Sequence, residues 1–540
     1  MLPVVASRPF HRILDAVDRL ARRRAVAIVV CCLVAFVGSA LVSVFVIWPE
    51  PRIHDEFAYL LAADTFASGR LTNPTHPMWQ HFESFHIFHE PTYQSKYPPA
   101  QGLILALGIV VGSHPVVGLW LSAALLCGSV CWMLYPLVDQ RWALIGGLAT
   151  AAQIGIASYW TQTYWGGALA AAGGALVYGA AARLASALSV SAAAALAVGL
   201  LLLANSRPFE GAAVAVPAVV VVALAFWRMR RSADLRRAVI PLVAILAFGF
   251  AAMAYFNHSV TGAWWQLPYF HHDQAYSARP LFRWQRAPET APVQRHTVLR
   301  QYWVGSREGE RAGAPTKMSH RGVVSLEDVD ELRGLFLGRV LLIPFLVGAL
   351  SLWRRDVRMA VAGIVLVLVA ARFTVYYRIH YVAPLAAPVF ALAIIGLARL
   401  SKYRLGRFEV GCSFAASVVL CLVGSCLLDA YRLPHELTYK STDDFPERRA
   451  AVVRTLESSP GSDLVIVQYG PRHDIHREWV YNAADIDAAD IVWARGMGAE
   501  KDHALRGYFR DRRAWLLREG FGDETDGLTA LGAPADRRPR

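Results

Sequence analysis

Residues Ala25–Trp48, AVAIVVCCLVAFVGSALVSVFVIW, run without a charge and follow Arg22-Arg23-Arg24. About 20 apolar residues suffice for a helix to cross a bilayer. The run meets that length and exceeds the roughly 7–15 residues of a signal-peptide core. No A-x-A cleavage site follows it. The sequence therefore predicts an uncleaved first transmembrane helix with its N-terminus inside, and His54-Asp55-Glu56 just beyond its outer end.

The rest of the chain has the same character. Of its 540 residues, 55% are hydrophobic and 18% charged, and the mean hydropathy is +0.35. A soluble domain carries about 25% charged residues, so a soluble multidomain enzyme is excluded and a polytopic α-helical membrane protein predicted. Further apolar runs lie near 115–138, 142–158, 167–187, 189–205, 211–227, 238–256, 335–353, 359–375, 381–399 and 409–429. With the first they make about eleven spans. Leu103–Gly112 is too short to cross and is expected to lie in the interface or dip partway. If it does not cross, Arg22–Arg24, Arg141, Arg183, Arg228–Arg237, Arg354–Arg358 and Arg399–Arg407 all fall on one side, as the positive-inside rule requires. The net charge of +13 is then a topology signal, and nucleic acid is not an expected partner. The seven cysteines all sit in apolar runs, which leaves no disulfide framework and no cysteine metal site. No internal repeat supports an inverted-repeat transporter.

This reading places 49–113, 257–334 and the tail from about Tyr431 outside. It divides the chain into a membrane core, 1–430, and a C-terminal extracytoplasmic domain, 431–540. In the tail, Asp463–Gln468 and Ala489–Ala494 read as short strands and Leu505–Leu517 as a helix, which predicts a small α/β domain. Trp479-Val480-Tyr481-Asn482 is a segment that could dock on the membrane part or bind an acceptor.

Polar residues at membrane depth are costly, so their grouping is informative. They gather at the outer helix ends: His54-Asp55-Glu56, Tyr159–Gly167, Asn205–Gly211 and Tyr376–Tyr381. Asp55 can cap a helix over Glu56–Ser68, or it can act as a general base where a hydrophobic wall meets water. Partial desolvation there is expected to raise its pKa. Lys96 is the only Lys or Arg between Arg70 and Arg141. It reads as a snorkelling lysine or as a point charge for a phosphate oxygen. Arg207, Arg372 and Arg378 are cations where topology calls for none, and they suit either salt bridges, Arg207 with Glu210 for example, or an anionic ligand. His76, His81, His86 and His89, with Glu83 and Glu90, offer metal donors but match no metal motif. Packing among Trp79, Phe82, Phe85 and Phe88 is the plainer account. No cofactor is assigned, and a divalent metal has no supporting motif.

The first helix, Asp55-Glu56 soon after it, Tyr97-Pro98-Pro99 after an outer loop and the succession of helices together resemble the GT-C membrane glycosyltransferases. More narrowly they resemble the bacterial protein O-mannosyltransferase and aminoarabinose transferase superfamily, over roughly residues 10–400. The resemblance implies inverting transfer of a sugar from a polyprenyl-phosphate carrier to a lipid, glycan or protein acceptor. The reaction would take place on the outer face of the inner (plasma) membrane. It implies Asp55 as the general base with Glu56 beside it, and Lys96, with Arg207 or Arg378, on the donor phosphate. Tyr97, Tyr164, Trp165, Glu210, His380 and Tyr381 are the further candidate substrate contacts. The family's proline motif often reads Lys-Pro-Pro, whereas Tyr97 intervenes here. A lipid-linked glycan polymerase or ligase, or a flippase, is the alternative. A flippase would carry its charges along a mid-membrane path.

Overall fold

The computed structural model describes residues 8–286, 288–290, 292–304, 326–375, 378–406, 408–440, 444–522 and 526–532. Tyr376, Tyr377 and, within the 257–334 loop, residues 287, 291 and 305–325 lie outside them.

A helix, or a broken pair of helices, lies on each of the predicted apolar runs. Six are long and apolar enough to cross a membrane singly: Arg24–Phe45, Val116–Leu134, Pro208–Arg228, Asp234–Thr261, Ile379–Leu400 and Val410–His435. Beside them stand shorter apolar helices, Pro99–Gly112, Ala168–Leu184 and Val190–Ala204. The protein is thus a multi-pass membrane protein whose shorter helices are wrapped by their neighbours. Helix Ala386–Leu400 is buried along almost its whole length, whereas Asp234–Thr261 is left almost entirely uncovered by the rest of the chain.

The run predicted as a span at 335–353 is formed by a bent pair of helices. Helices Asp328–Leu337 and Leu342–Ala349 meet at 97°. Gly338, at φ +54°, supplies the left-handed residue the bend requires. The second half packs directly on the central helix. A Cβ at Gly348 would lie 1.9 Å from the Leu392 carbonyl oxygen, and one at Gly396 would lie 1.8 Å from that of Pro344. Only paired glycines let the two backbones approach so closely.

Segment 49–113 folds over one end of the bundle. Helix α1 spans His54–Ala67, a short hairpin pairs β1 (Ile87–Phe88) with β2 (Gln94–Ser95), and α2 spans Pro99–Gly112. Pro98 and Pro99 start α2, where a fixed φ and a missing N–H cost nothing. This is the segment predicted to lie in the interface, and it packs on α1 and on Val116–Leu134.

Helix Val410–Lys440 runs past the boundary predicted near 430, and the α/β unit begins with helix Phe445–Glu457. Its sheet has the order β4-β3-β5-β6, from β3 (Asp463–Tyr469), β4 (Ile491–Arg495), β5 (Arg513–Glu519) and β6 (Gly527–Ala530). The first three are parallel and β6 is antiparallel. The two predicted strands are present. The helix predicted over Leu505–Leu517 is divided: Ala499–Tyr508 is helical, and Arg513–Glu519 joins the sheet beside β3. A short apolar run carries no length signal of its own, and pairing with buried β3 decides it.

The carboxyl ends of β3 and β4 face segment 49–113. Arg495 Nε donates to the Glu83 carbonyl (2.6 Å), and His81 Nδ1 meets the Arg495 carbonyl (2.8 Å). Tyr481 stacks on Phe57 at 4.2 Å, and the Ala484 amide donates to Asp64 (2.7 Å). The predicted docking of 479–482 is made by Tyr481 and Asn482, the latter accepting from the Tyr93 hydroxyl (3.0 Å). Trp479 packs inside the α/β unit instead.

Candidate active site

Asp55 sits in the first turn of α1. The residue before the helix is Ile53, and no side chain caps the helix, so the capping role open to Asp55 is not used. Its carboxylate is engaged elsewhere. Oδ2 lies 2.9 Å from His54 Nδ1 and 3.6 Å from His86 Nε2, and Oδ1 accepts from the Tyr97 hydroxyl. The hairpin carries two of the neighbours: the Lys96 amide donates to the His86 carbonyl (3.0 Å). His86 holds a left-handed φ of +62°, a strained conformation of the kind that clusters at functional sites. His54 Nδ1 meets His86 Nε2 at 2.9 Å, and His54 Nε2 meets His476 Nδ1, from the α/β unit, at 3.3 Å.

Burial raises the pKa of Asp55, but His86, His54 and Tyr97 together overcome it and hold the carboxyl well below the usual range. This reverses the expected upward shift. Donors that favour the charged form outweigh desolvation. The Asp55 side chain remains 26% exposed.

That exposed part faces a narrow cleft whose walls stand close together, lined by Asp55, Tyr59, Tyr97, Trp165, Arg207, His380 and Tyr381. Tyr59 stacks on Tyr97 (4.4 Å), Trp165 lies against His380 (4.8 Å), and the Arg207 guanidinium lies over Tyr381 (4.5 Å). Among the described residues Arg207 has no carboxylate at ion-pair distance, and the buried Trp165 Nε1 has no partner. Trp165, Arg207 and His380 precede or open the helices Ala168–Leu184, Pro208–Arg228 and Ile379–Leu400. Several positive helix ends therefore converge on the cleft.

The other predicted residues are placed differently. Glu56 is buried, and its two oxygens accept from the backbone amides of Arg52 (3.0 Å) and Tyr164 (2.9 Å). Burial pushes its carboxyl up to about 7. Tyr164 is buried beside it, its hydroxyl donating to the Pro49 carbonyl (3.1 Å). Glu210 is buried in the first turn after Arg207 without a direct ion pair to it. Arg378 is exposed and outside the cleft. Lys96 lies behind Tyr97 rather than in the cleft. Its ammonium is caged by the rings of Tyr269 (4.6 Å), Trp303 (4.9 Å) and Tyr97 (5.4 Å). Burial pulls it down to about 8, against the opposing pull of Asp55 and Asp273.

Reading the sequence missed Tyr59, four residues after Asp55 and so on the same helical face, a signal that was present. It also missed His86 and His476 as members of the cluster around His54 and Asp55. No spacing brings residues so far apart in the chain together.

Two histidines and a carboxylate form a donor set that suits a zinc-type ion, and His54, Asp55 and His86 offer ligand atoms within 4.8 Å of one another. An ion at about 2.0–2.1 Å from each would hold tetrahedral ligands roughly 3.4 Å apart. Two of the contacts here are 2.9 Å, the spacing of hydrogen bonds. The set as it stands is a hydrogen-bonded network, and taking a metal would require it to open.

A multi-pass bundle, a helix and hairpin folded over one end, and an α/β unit docked on them give a GT-C-like fold. Among solved structures, ArnT from Cupriavidus metallidurans bound to undecaprenyl phosphate aligns over 92% of this chain and 92% of its own. The identity is 14% and the TM-score 0.50. The oligosaccharyltransferase of Archaeoglobus fulgidus aligns over 82% of this chain and 62% of its own, at 11% identity and a TM-score of 0.46. No protein-family model and no curated protein matches the sequence.

Proposed function

We propose that this protein is a glycosyltransferase of the inner (plasma) membrane. It moves a sugar from a polyprenyl-phosphate carrier to a lipid, glycan or protein acceptor on the outer face, with inversion. The observation that carries this reading is the cleft itself. An ionised carboxylate, Asp55, and a guanidinium, Arg207, that among the described residues has no carboxylate at ion-pair distance, face one space walled by aromatic rings. Converging helix N-termini favour an anion there. That the ArnT structure sharing this fold holds undecaprenyl phosphate agrees with a carrier of that class.

The acceptor's nucleophilic oxygen or nitrogen attacks the anomeric carbon from the side opposite the phosphate, and the carrier phosphate leaves with the bonding pair. Asp55 takes the acceptor's proton. A carboxylate held at a low pKa is a weak base, but an attacking hydroxyl becomes strongly acidic as its bond to carbon forms, so a weak base placed at hydrogen-bond range suffices. Tyr97 and His54 hold that base in place. Arg207 binds the leaving phosphate directly, and Lys96 adds positive potential from behind Tyr97. Glu56 serves as scaffold, fixing the chain on either side of the cleft through two backbone amides.

The test is transfer by purified protein in lipid vesicles, with polyprenyl-phosphate-linked radiolabelled sugars as donors and mass spectrometry of the co-purified lipid. Co-purified polyprenyl phosphate and turnover lost in Asp55→Asn are the expected results. A protein that carries no such lipid and transfers from no such donor would refute the reading.

A further inference from the structure

We propose that the α/β unit completes the active site by supplying His476, a positioning residue that fixes the tautomer of His54 and through it the orientation of Asp55. This inference rests on the transfer reading above for its activity readout, but not for its structural one. His476 lies in the loop after β3, at the carboxyl edge of the parallel strands. In open α/β sheets, ligands bind outside the carboxyl ends of the strands, where the strand order reverses. Here β3 has β4 on one side and β5 on the other, and the loop leaving that point reaches segment 49–113 rather than solvent.

The proton assignment follows from the contacts. An ionised carboxylate can only accept, so His54 Nδ1, 2.9 Å from Asp55 Oδ2, carries a proton. In a neutral imidazole the other nitrogen must then accept. The atom that faces His54 Nε2, at 3.3 Å, is His476 Nδ1, which therefore donates. The chain of bonds runs His476 Nδ1–H to His54 Nε2, and His54 Nδ1–H to Asp55 Oδ2. His54 Nδ1 also stands 2.9 Å from His86 Nε2. The His476 amide in turn donates to Asp474 Oδ1 (3.0 Å), which sets the turn that aims the ring. Without the donor at His476, His54 is free to carry its proton on Nε2. It would then present a lone pair to the Asp55 carboxylate, repelling the base it should hold. Which imidazole nitrogen is protonated is set by the partner of the other nitrogen.

Two substitutions separate this role from simple packing. His476→Phe keeps a ring beside His54, which lies 5.4 Å away, and Tyr302, at 6.4 Å, but removes the donor. His476→Asn loses the ring but places an amide N–H near the Nδ1 position. In the transfer assay the phenylalanine variant is expected to lose roughly 10–100-fold in kcat, the range for removal of an orienting outer partner, with KM little changed. The asparagine variant is expected to restore most of that loss. The reverse order, phenylalanine active and asparagine impaired, would overturn the assignment in favour of packing. The second readout needs no turnover. The 15N shifts of selectively labelled histidines report each tautomer, with the His54 signal assigned by its loss in His54→Gln. Wild type should show His54 protonated at Nδ1, and His476→Phe should shift that signal towards the other tautomer. A His54 tautomer that is unchanged in the phenylalanine variant overturns the inference. If wild type transfers nothing from any donor, the transfer reading fails separately, and the tautomer still decides this one.

Discussion

Adjacent acids on one helix turn point about 100° apart, and Asp55 and Glu56 are given different work by that rotation. Asp55 turns to the cleft, held by two histidines and a tyrosine, while Glu56 turns into the fold and binds two backbone amides. Asp55→Asn is expected to leave the melting temperature near wild type and to lower turnover about 10²–10⁴-fold. Glu56→Gln sets an amide NH₂ against a backbone N–H and is expected to cost about 1–3 kcal/mol of stability, with specific activity per folded molecule largely kept. A thermal-shift series alongside the transfer assay reads both, and equal damage to activity from the two changes would erase the division of labour. The pH profile follows from the same environment. Because the Asp55 carboxyl is held well below its usual range, kcat/KM should show no acid limb near the ordinary carboxylate pKa. On the alkaline side Lys96, lowered to about 8 by burial, loses its charge as pH rises. Activity should therefore fall above about 8, and Lys96→Arg should move that limb upward. A limb that stays put in the arginine variant removes Lys96 from the phosphate's field.

Among the elements, the joint between the α/β unit and segment 49–113 hinges on Arg495. Its guanidinium is buried, donates to the Glu83 carbonyl (2.6 Å) and pairs with buried Glu478 (2.5 Å). Removing one partner of a buried pair leaves the other charge uncompensated, at about 3–5 kcal/mol. Arg495→Ala should therefore loosen the unit, which limited proteolysis would detect as cleavage beyond Lys440, while the membrane helices stay inserted. A protease pattern identical to wild type would show that the stacking of Tyr481 on Phe57 suffices alone. The apolar runs that became helices and the two largely buried strands β3 and β4 were legible in the sequence, because hydrophobic length and β-branched composition are local signals. Asp55 with Tyr97 and Arg207 was legible only as separate oddities of charge and position. The bend at Gly338 and the strand at Arg513–Glu519 were not legible, since each is decided by what packs against it: Ala386–Leu400 in one case and β3 in the other. The histidine cluster was hidden for the same reason. Its members lie in α1, in the hairpin and in the distant α/β unit, and only the docking of that unit brings them together.

For the molecule as a whole, the site works as proposed only if the cleft opens to the side where carrier headgroups and acceptors meet. The charge distribution argues for the outside. Arg228, Arg230, Arg231, Arg236 and Arg237 flank the turn between Pro208–Arg228 and Asp234–Thr261, at the opposite end of Pro208–Arg228 from Arg207 and the cleft. Basic clusters of this kind stay on the cytoplasmic side. The α/β unit, docked at the cleft end, is then expected outside with it. Reporter fusions can test both ends of this statement. An alkaline phosphatase fusion after Arg231 should be inactive and a green fluorescent protein fusion there fluorescent. The opposite pair of results is expected for fusions after Leu531, beyond the last strand. If both positions report the same side, an odd number of crossings between them is ruled out. The α/β unit would then share a compartment with the arginine cluster, and chemistry on an outward-facing lipid carrier would have to be abandoned however well the cleft suits a phosphate.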